Sequence, residues 1–194
     1  ADHPGVTIDV VLSDAQCDLV GEGIDLALRI AAMNDSSLLA QAIAPVDLMI
    51  VTSADYLAAA GSPAHPRDLA QHRVLGYGHL NRAQPVVLTG PDGERVTVTP
   101  TGPLFTNNGD LMVPLLLRGQ GIALLPSFIA GEAVRDGRLL RLFPGWSTGS
   151  ASLYLVTPPS RLRPARVKAL AALLIANLKE SPLFAPKPQG FVNS

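Results

Sequence analysis

Residues 106–126, TNNGDLMVPLLLRGQGIALLP, admit few readings, because a polar turn, a helix, a glycine break and a short apolar strand follow one another directly. A unit of this kind must bury its strand and one helix face in a layered core of sheet and helix. Asn107 or Asn108 suits the N-cap, since a short amide oxygen accepts from backbone N–H groups that lack intrahelical partners. Gly109 allows close backbone approach, and the partial positive charge of a helix start favours a carboxylate there. The stretch from Thr106 through Asp110, with Pro126 at the end of the strand, is therefore a candidate receptor for a small acid. It fits an ordinary capped helix followed by a strand as well. Pro114, inside the helix, removes one intrahelical hydrogen bond and predicts a kink or a late helix start.

The chain before this unit reads as alternating short strands and helices. Residues 6–12, VTIDVVL, are rich in β-branched side chains and read as a strand. Ser13 or Asp14 then caps a short helix carrying Leu19 and Val20, stopped by Gly21 and Gly23, and residues 25–30, DLALRI, form a second strand. This is the spacing of a βαβ crossover, which implies a parallel sheet with ligands bound beyond the carboxyl ends of its strands. Arg29, Ile30, Ala31 and the loop 34–37 then lie at a ligand-facing edge. Arg29 fits equally well as a solvent-face charge bridged to Asp25. Two extended runs follow, residues 38–44 and 47–52, divided by Pro45. Ser53 caps a helix over 54–60 that Gly61 closes, and Pro66 opens another helical turn at its favoured first position.

Residues 74–77 read as a strand making the first crossing between two lobes. Residues 85–105 turn to β structure, with GPDG at 90–93 as the turn of a hairpin. A helix over 128–135 and a strand at 139–142 come next, and the strand-like run 151–157 makes the crossing back. The final helix, 164–179, sets Val167, Leu170, Ala171, Leu174 and Leu178 on one face and packs on the first lobe. The expected architecture is α/β, with a first lobe of residues 1–75 and 151–180, a second of 76–150, and a loose tail at 181–194. A cleft at the hinge would hold Tyr77 and residues 107–110 on one side and residues 29–31 on the other. Tyr77 fits a half-buried packing role equally well.

Composition removes several alternatives. An apolar fraction of 47% with 16% charged residues describes a globular chain. A net charge of −1 argues against nucleic-acid binding by this chain through electrostatics. The single cysteine, Cys17, excludes an intrachain disulfide and a cysteine-built zinc site. Neither a membrane span nor a signal peptide can be read, so a cytoplasmic protein with no membrane partner is expected. No catalytic residue is assigned: Ser13, Ser53 and Ser127 lie in no nucleophile elbow, and nothing places a histidine beside them. His65, His72 and His79 recur across loop-like sequence, which argues against a shared metal face. Gly21-Glu22-Gly23 is too short to mark a nucleotide site, and no cofactor is expected.

Order and spacing then carry a resemblance that no single motif carries. The succession HPGVTIDVVLSD, DLVGEGIDLALRI, SSLLAQAIAP, ADYLAAAGSPAHPRDLAQH, VLGYGHL, GPDGERVTV, TNNGDLMVPLLLRGQGIALLP, GRLLRLFPGW and LYLVTPPSRLRPARVKALAALL resembles the effector-binding domain of LysR-type transcriptional regulators. The likeness reaches to about Leu178. It implies two Rossmann-like lobes joined by two crossing strands, as in type 2 periplasmic binding proteins, and no enzyme. A small-molecule effector, anionic ones included, would sit in the interlobe cleft, and subunits would pair as homodimers or homotetramers through domain edges. DNA would be bound only through an N-terminal helix-turn-helix domain outside this chain. The resemblance also implies a strand and a helix ahead of Ala1, the strand being central in the first lobe, so an open slot is expected in that sheet. A stand-alone solute-binding protein of similar fold is the other reading.

Overall fold

The computed structural model describes residues 5–13, 18–32, 39–77, 85–106, 108–149, 151–159 and 163–184. In chain order its elements are β1 (Ala27–Ala32), β2 (Leu39–Val46), β3 (Leu48–Thr52), α1 (Ala54–Ala60), a 3-10 helix (Pro66–Gln71), β4 (Val74–Tyr77), β5 (Val86–Thr89) and β6 (Arg95–Val98). There follow β7 (Phe105–Thr106), α2 (Gly109–Leu117), β8 (Ile122–Pro126), α3 (Ser127–Arg135), β9 (Leu140–Leu142), β10 (Ala151–Thr157) and α4 (Ala165–Lys179). Two principal sheets result: a three-stranded one in the order β1-β10-β2 and a five-stranded one in the order β7-β4-β8-β3-β9. β5 and β6 pair separately as the expected hairpin, turned at Gly90–Gly93 by a bond from Gly93 N to Gly90 O at 3.1 Å.

The five-stranded sheet is buried on both faces, which is why its strands read as continuous apolar runs. On one face Met49, Val51, Ala123 and Leu125 pack with Met112 and Leu116 of α2 and Ala130 and Ala133 of α3. On the other, Ile50 and Ile122 pack with Tyr56 of α1, Leu69 of the 3-10 helix and Leu88 of the hairpin. Fully burying a side chain such as Met49 or Leu125 stabilises the fold by about 1.5–3 kcal/mol. The three-stranded sheet has a thinner cover. Leu153 and Leu155 of β10 and Ile43 and Val46 of β2 meet Ala171, Leu174, Ile175 and Leu178 of α4 on one face.

Local signals place the caps. Ser53 accepts from Tyr56 N and opens α1, and Gly61, at φ 84°, closes it. His65 caps the 3-10 helix with Nδ1, and Asp68 returns the bond to the His65 amide at 2.9 Å. α2 ends in a Schellman arrangement, Gly119 N bonding Leu116 O at 2.9 Å and Gln120 N bonding Leu115 O at 3.1 Å, with Gly119 at φ 68°. The helix starts at Gly109 and runs through Pro114 to Leu117, so the late start is excluded. Pro114 has no N–H and so withholds the bond that an N–H there would have made.

Three expectations are corrected. The chain changes sheet at Asp47, between β2 and β3, and not at β4, which lies inside the five-stranded sheet between β7 and β8. The return falls between β9 and β10. The first sheet is antiparallel, because both neighbours of β10 run against it. Residues 6–12 form no strand, and Ile8, Val10, Val11 and Leu12 are exposed. A strand needs a partner ladder, and the free edge of β1 carries none among the described residues. Leu28 and Ile30, on the same face as the α4-covered Leu153 and Leu155, are 43% exposed.

Candidate functional site

The parallel strands of the five-stranded sheet all end on one side. β4 and β7 finish together, Tyr77 opposite Thr106, and β8 runs parallel to β4 and ends at Pro126. Helix starts follow at once, α2 after Asn108 and α3 at Ser127. Leu48, the first residue of β3, is paired with Pro126, so the chain enters the second sheet at this same end. The end nearest the first sheet is thus the end where strand carboxyl termini and helix amino termini converge, the arrangement in which α/β sheets bind ligands.

Thr106 and Asn108 are locked together here. The Thr106 hydroxyl accepts from Asn108 N at 3.0 Å, and the Asn108 side-chain oxygen accepts from Asp110 N at 2.9 Å and Leu111 N at 3.4 Å. Two of the amides that an anion would use are therefore already satisfied by Asn108 itself. Gly109 is buried as the first helical residue, and Asp110 is exposed in the first turn, where its negative charge favours the helix and opposes an incoming anion. Asn107 lies outside the described residues.

From the first sheet, β1 delivers its carboxyl end toward the crossing, since Ala32 is paired with Ala151 at the start of β10, and Ala31 with Ser152. Arg29 and Ile30 stand further back, opposite Tyr154 and Leu153, because β1 continues to Ala32. Arg29 is half-buried, on the face opposite to Ile30. The structure thus gathers Tyr77, Thr106, Asn108, Gly109, Asp110 and Pro126 at one end of one sheet and sets Ala31 at the crossing end of the other. Arg29 and Ile30 sit within the strand.

Asp47 and Arg141 were not singled out from sequence. Asp47 is the residue at which the sheets change, its carbonyl accepts from Ser127 N at 2.8 Å, and its carboxylate lies 3.2 Å from the Arg141 guanidinium. A break between two extended runs at Pro45 pointed toward this place, but nothing local pointed to Arg141. A depression of about 150 Å³ between the 3-10 helix and β6, whose lining includes Pro66, Arg67, Ala70 and Thr97, draws on none of the site residues named above. It is below the roughly 300 Å³ at which ligand pockets begin. His65 and His72 are engaged in the second lobe, His65 with Glu94 and His72 with the Tyr56 hydroxyl, and His79 lies outside the described residues. No cluster of metal-binding side chains occurs among the described residues.

Two sheets exchanged twice by one chain, with parallel-strand ends and helix starts turned toward the exchange, define a two-lobed α/β domain of the periplasmic-binding-protein type. The chain belongs to the LysR substrate binding domain family, which it matches over residues 1–179. It is 36% identical over 180 residues to the HTH-type transcriptional regulator PtxR of Pseudomonas aeruginosa, covering 92% of this chain and 57% of PtxR. A further HTH-type regulator, from Haemophilus influenzae, is 33% identical over 88% of this chain and 59% of its own. Among solved structures, the full-length Vibrio cholerae virulence activator AphB superposes with a TM-score of 0.77 at 26% identity, over 90% of this chain and 59% of AphB. The regulatory domain of AphB from Vibrio vulnificus gives a TM-score of 0.74 at 28% identity, over 90% of this chain and 86% of that domain. The relatives are regulators of transcription, not enzymes. The chain spans little more than half the length of the curated relatives it matches.

Proposed function

We propose that this chain is the ligand-sensing regulatory domain of a LysR-type transcription factor, and that a small-molecule effector binds between the facing ends of its two sheets. One observation carries the reading: Tyr77, Thr106, Asn108 and Pro126 end parallel strands or begin helices on the side where the chain enters from the first lobe. Lobe closure on the effector then alters how paired subunits are arranged. The coupling needed is a difference in effector affinity between two lobe arrangements, typically about 1–3 kcal/mol. DNA is contacted by a domain outside this chain, a reading supported by the relatives being HTH-type regulators, and the whole protein works as a cytoplasmic homodimer or homotetramer. No described helix is long and apolar enough to cross a membrane.

The chemistry at the α2 start narrows the effector. The Asn108 side-chain NH₂ and the Gly109 amide offer donors, while Asp110 offers an acceptor that repels a bare anion. A molecule carrying both signs or both hydrogen-bond roles, such as an amino acid or a hydroxylated acid, meets this pair better than a simple carboxylate. The test is a thermal-shift titration against amino acids, hydroxy acids, aromatic acids and simple carboxylates, since a ligand that binds only the folded state raises its stability with concentration. A saturable shift abolished in Asn108→Ser, which keeps a cap oxygen but loses the amide donors, supports the site. A shift unchanged in that variant removes Asn108 from it, and no shift with any compound counts against an effector of this class.

A further inference from the structure

The outgoing link between the sheets is a single residue, since β2 ends at Val46 and β3 begins at Leu48. Rotation of one lobe against the other must pass through the torsions flanking Asp47, because the peptide units themselves are rigid. Asp47 is fastened to the second lobe through its carbonyl and its carboxylate. Its carbonyl takes the Ser127 amide at the start of α3, and its carboxylate takes Arg141 of β9. β9 is the last strand before the chain returns to the first sheet, and it lies at the edge of the five-stranded sheet. The ion pair therefore ties the outgoing link to the strand from which the return link leaves.

We propose that Asp47 and Arg141 form a catch that holds the two interlobe links in one relative setting and opens when the lobes turn. Its strength suits that task. The side chains are 46% and 26% exposed, so water screens the pair, and such pairs bias an equilibrium by up to about fivefold. A bias of that size restrains the lobes at rest and yields to a ligand that prefers the turned arrangement. The catch is a property of the empty protein, so its failure leaves the effector reading standing, and the reverse also holds.

Hydrogen exchange of the Ser127 amide, whose acceptor is the Asp47 carbonyl, reports on the link directly. Asp47→Asn keeps that carbonyl and removes the charge, and Arg141→Met keeps the side-chain stem. Each variant should speed Ser127 exchange by up to about fivefold, with the double variant no faster than either. Amides in the β3–β8 ladder, such as those of Val51 and Ala123, should keep their wild-type rates. Half-molar sodium chloride should speed Ser127 exchange in the wild type and leave Asp47→Asn unaffected. Unchanged Ser127 exchange in both variants overturns the proposal. So does an equal acceleration throughout the β3–β8 ladder, which would make the pair a general stabiliser.

Discussion

The carbonyl of Arg73 occupies the space that a Cβ on Gly121 would need, and the same carbonyl accepts the Ile122 amide at 2.9 Å. Neither side can give way, because the carbonyl belongs to the residue leading into β4 and the bond starts the β4–β8 pairing. Gly121→Ala should therefore destabilise the protein by about 2 kcal/mol or more, as a forced backbone shift in a core sheet does. For a chain of this length that is a fall of roughly 4–8 °C in Tm. Gly137→Ala, at φ 71° with open space around it, should cost about 1 kcal/mol. Thermal melts of the two variants check the ordering, and equal melts would show that the β4–β8 junction is plastic.

Asn108→Ala should lower stability as well as any ligand affinity, because the Asn108 oxygen serves two amides at the start of α2. The expected cost is about 1 kcal/mol, with Asn108→Ser and Asn108→Asp within a few tenths of the wild type. Urea denaturation separates the three. A melt of Asn108→Ala indistinguishable from the wild type would mean that Asn108 does not act as the cap.

Leu28→Thr and Ile30→Thr should be close to neutral for stability, within about 0.5 kcal/mol each, since both side chains are 43% exposed. They should also reduce self-association, because an uncovered strand edge flanked by apolar side chains is a template for another chain. Sedimentation velocity across a concentration series measures this. Association unchanged in the double variant would show that contacts between copies use another surface.

Met49→Ala should cost about 2–5 kcal/mol, since Met49 is fully buried between β3 and the α2–α3 layer. Leu173→Ala, on the outer face of α4 at 59% exposure, should change stability by less than about 0.5 kcal/mol. The contrast, read from denaturation midpoints, tests whether the five-stranded sheet holds the main core.

Local chemistry was legible in the sequence where neighbours along the chain decide it. Ser53 and Gly61 bound α1 because a hydroxyl cap and a left-handed glycine act within one turn. Tyr77 and Pro126 could be placed at strand ends for the same reason, whereas Thr106, read as part of the polar turn, closes β7. Membership of a sheet was not legible: β3 joins β8 through Thr52 and Ile122, far apart in sequence, so the sheet change at Asp47 was misplaced to β4. Arg29 and Ile30 were set at a strand end because the end of β1 rests on pairing with β10 through Ala32. The satisfied amides of α2 were readable in principle, since the asparagine that suits a cap also consumes the donors.

The link back to the first sheet holds Phe143, at φ 50° the one non-glycine residue of positive φ among those described, and three residues later Trp146, the chain's single tryptophan. The indole meets His65 edge-on at 5.0 Å and lies against Gly90, while Ser147 is bonded in both directions to Thr89 of the hairpin. The protein thereby carries its own optical gauge. Indole emission originates from one place only, so a change in its wavelength on adding a compound reports the surroundings of the return link without any attached dye.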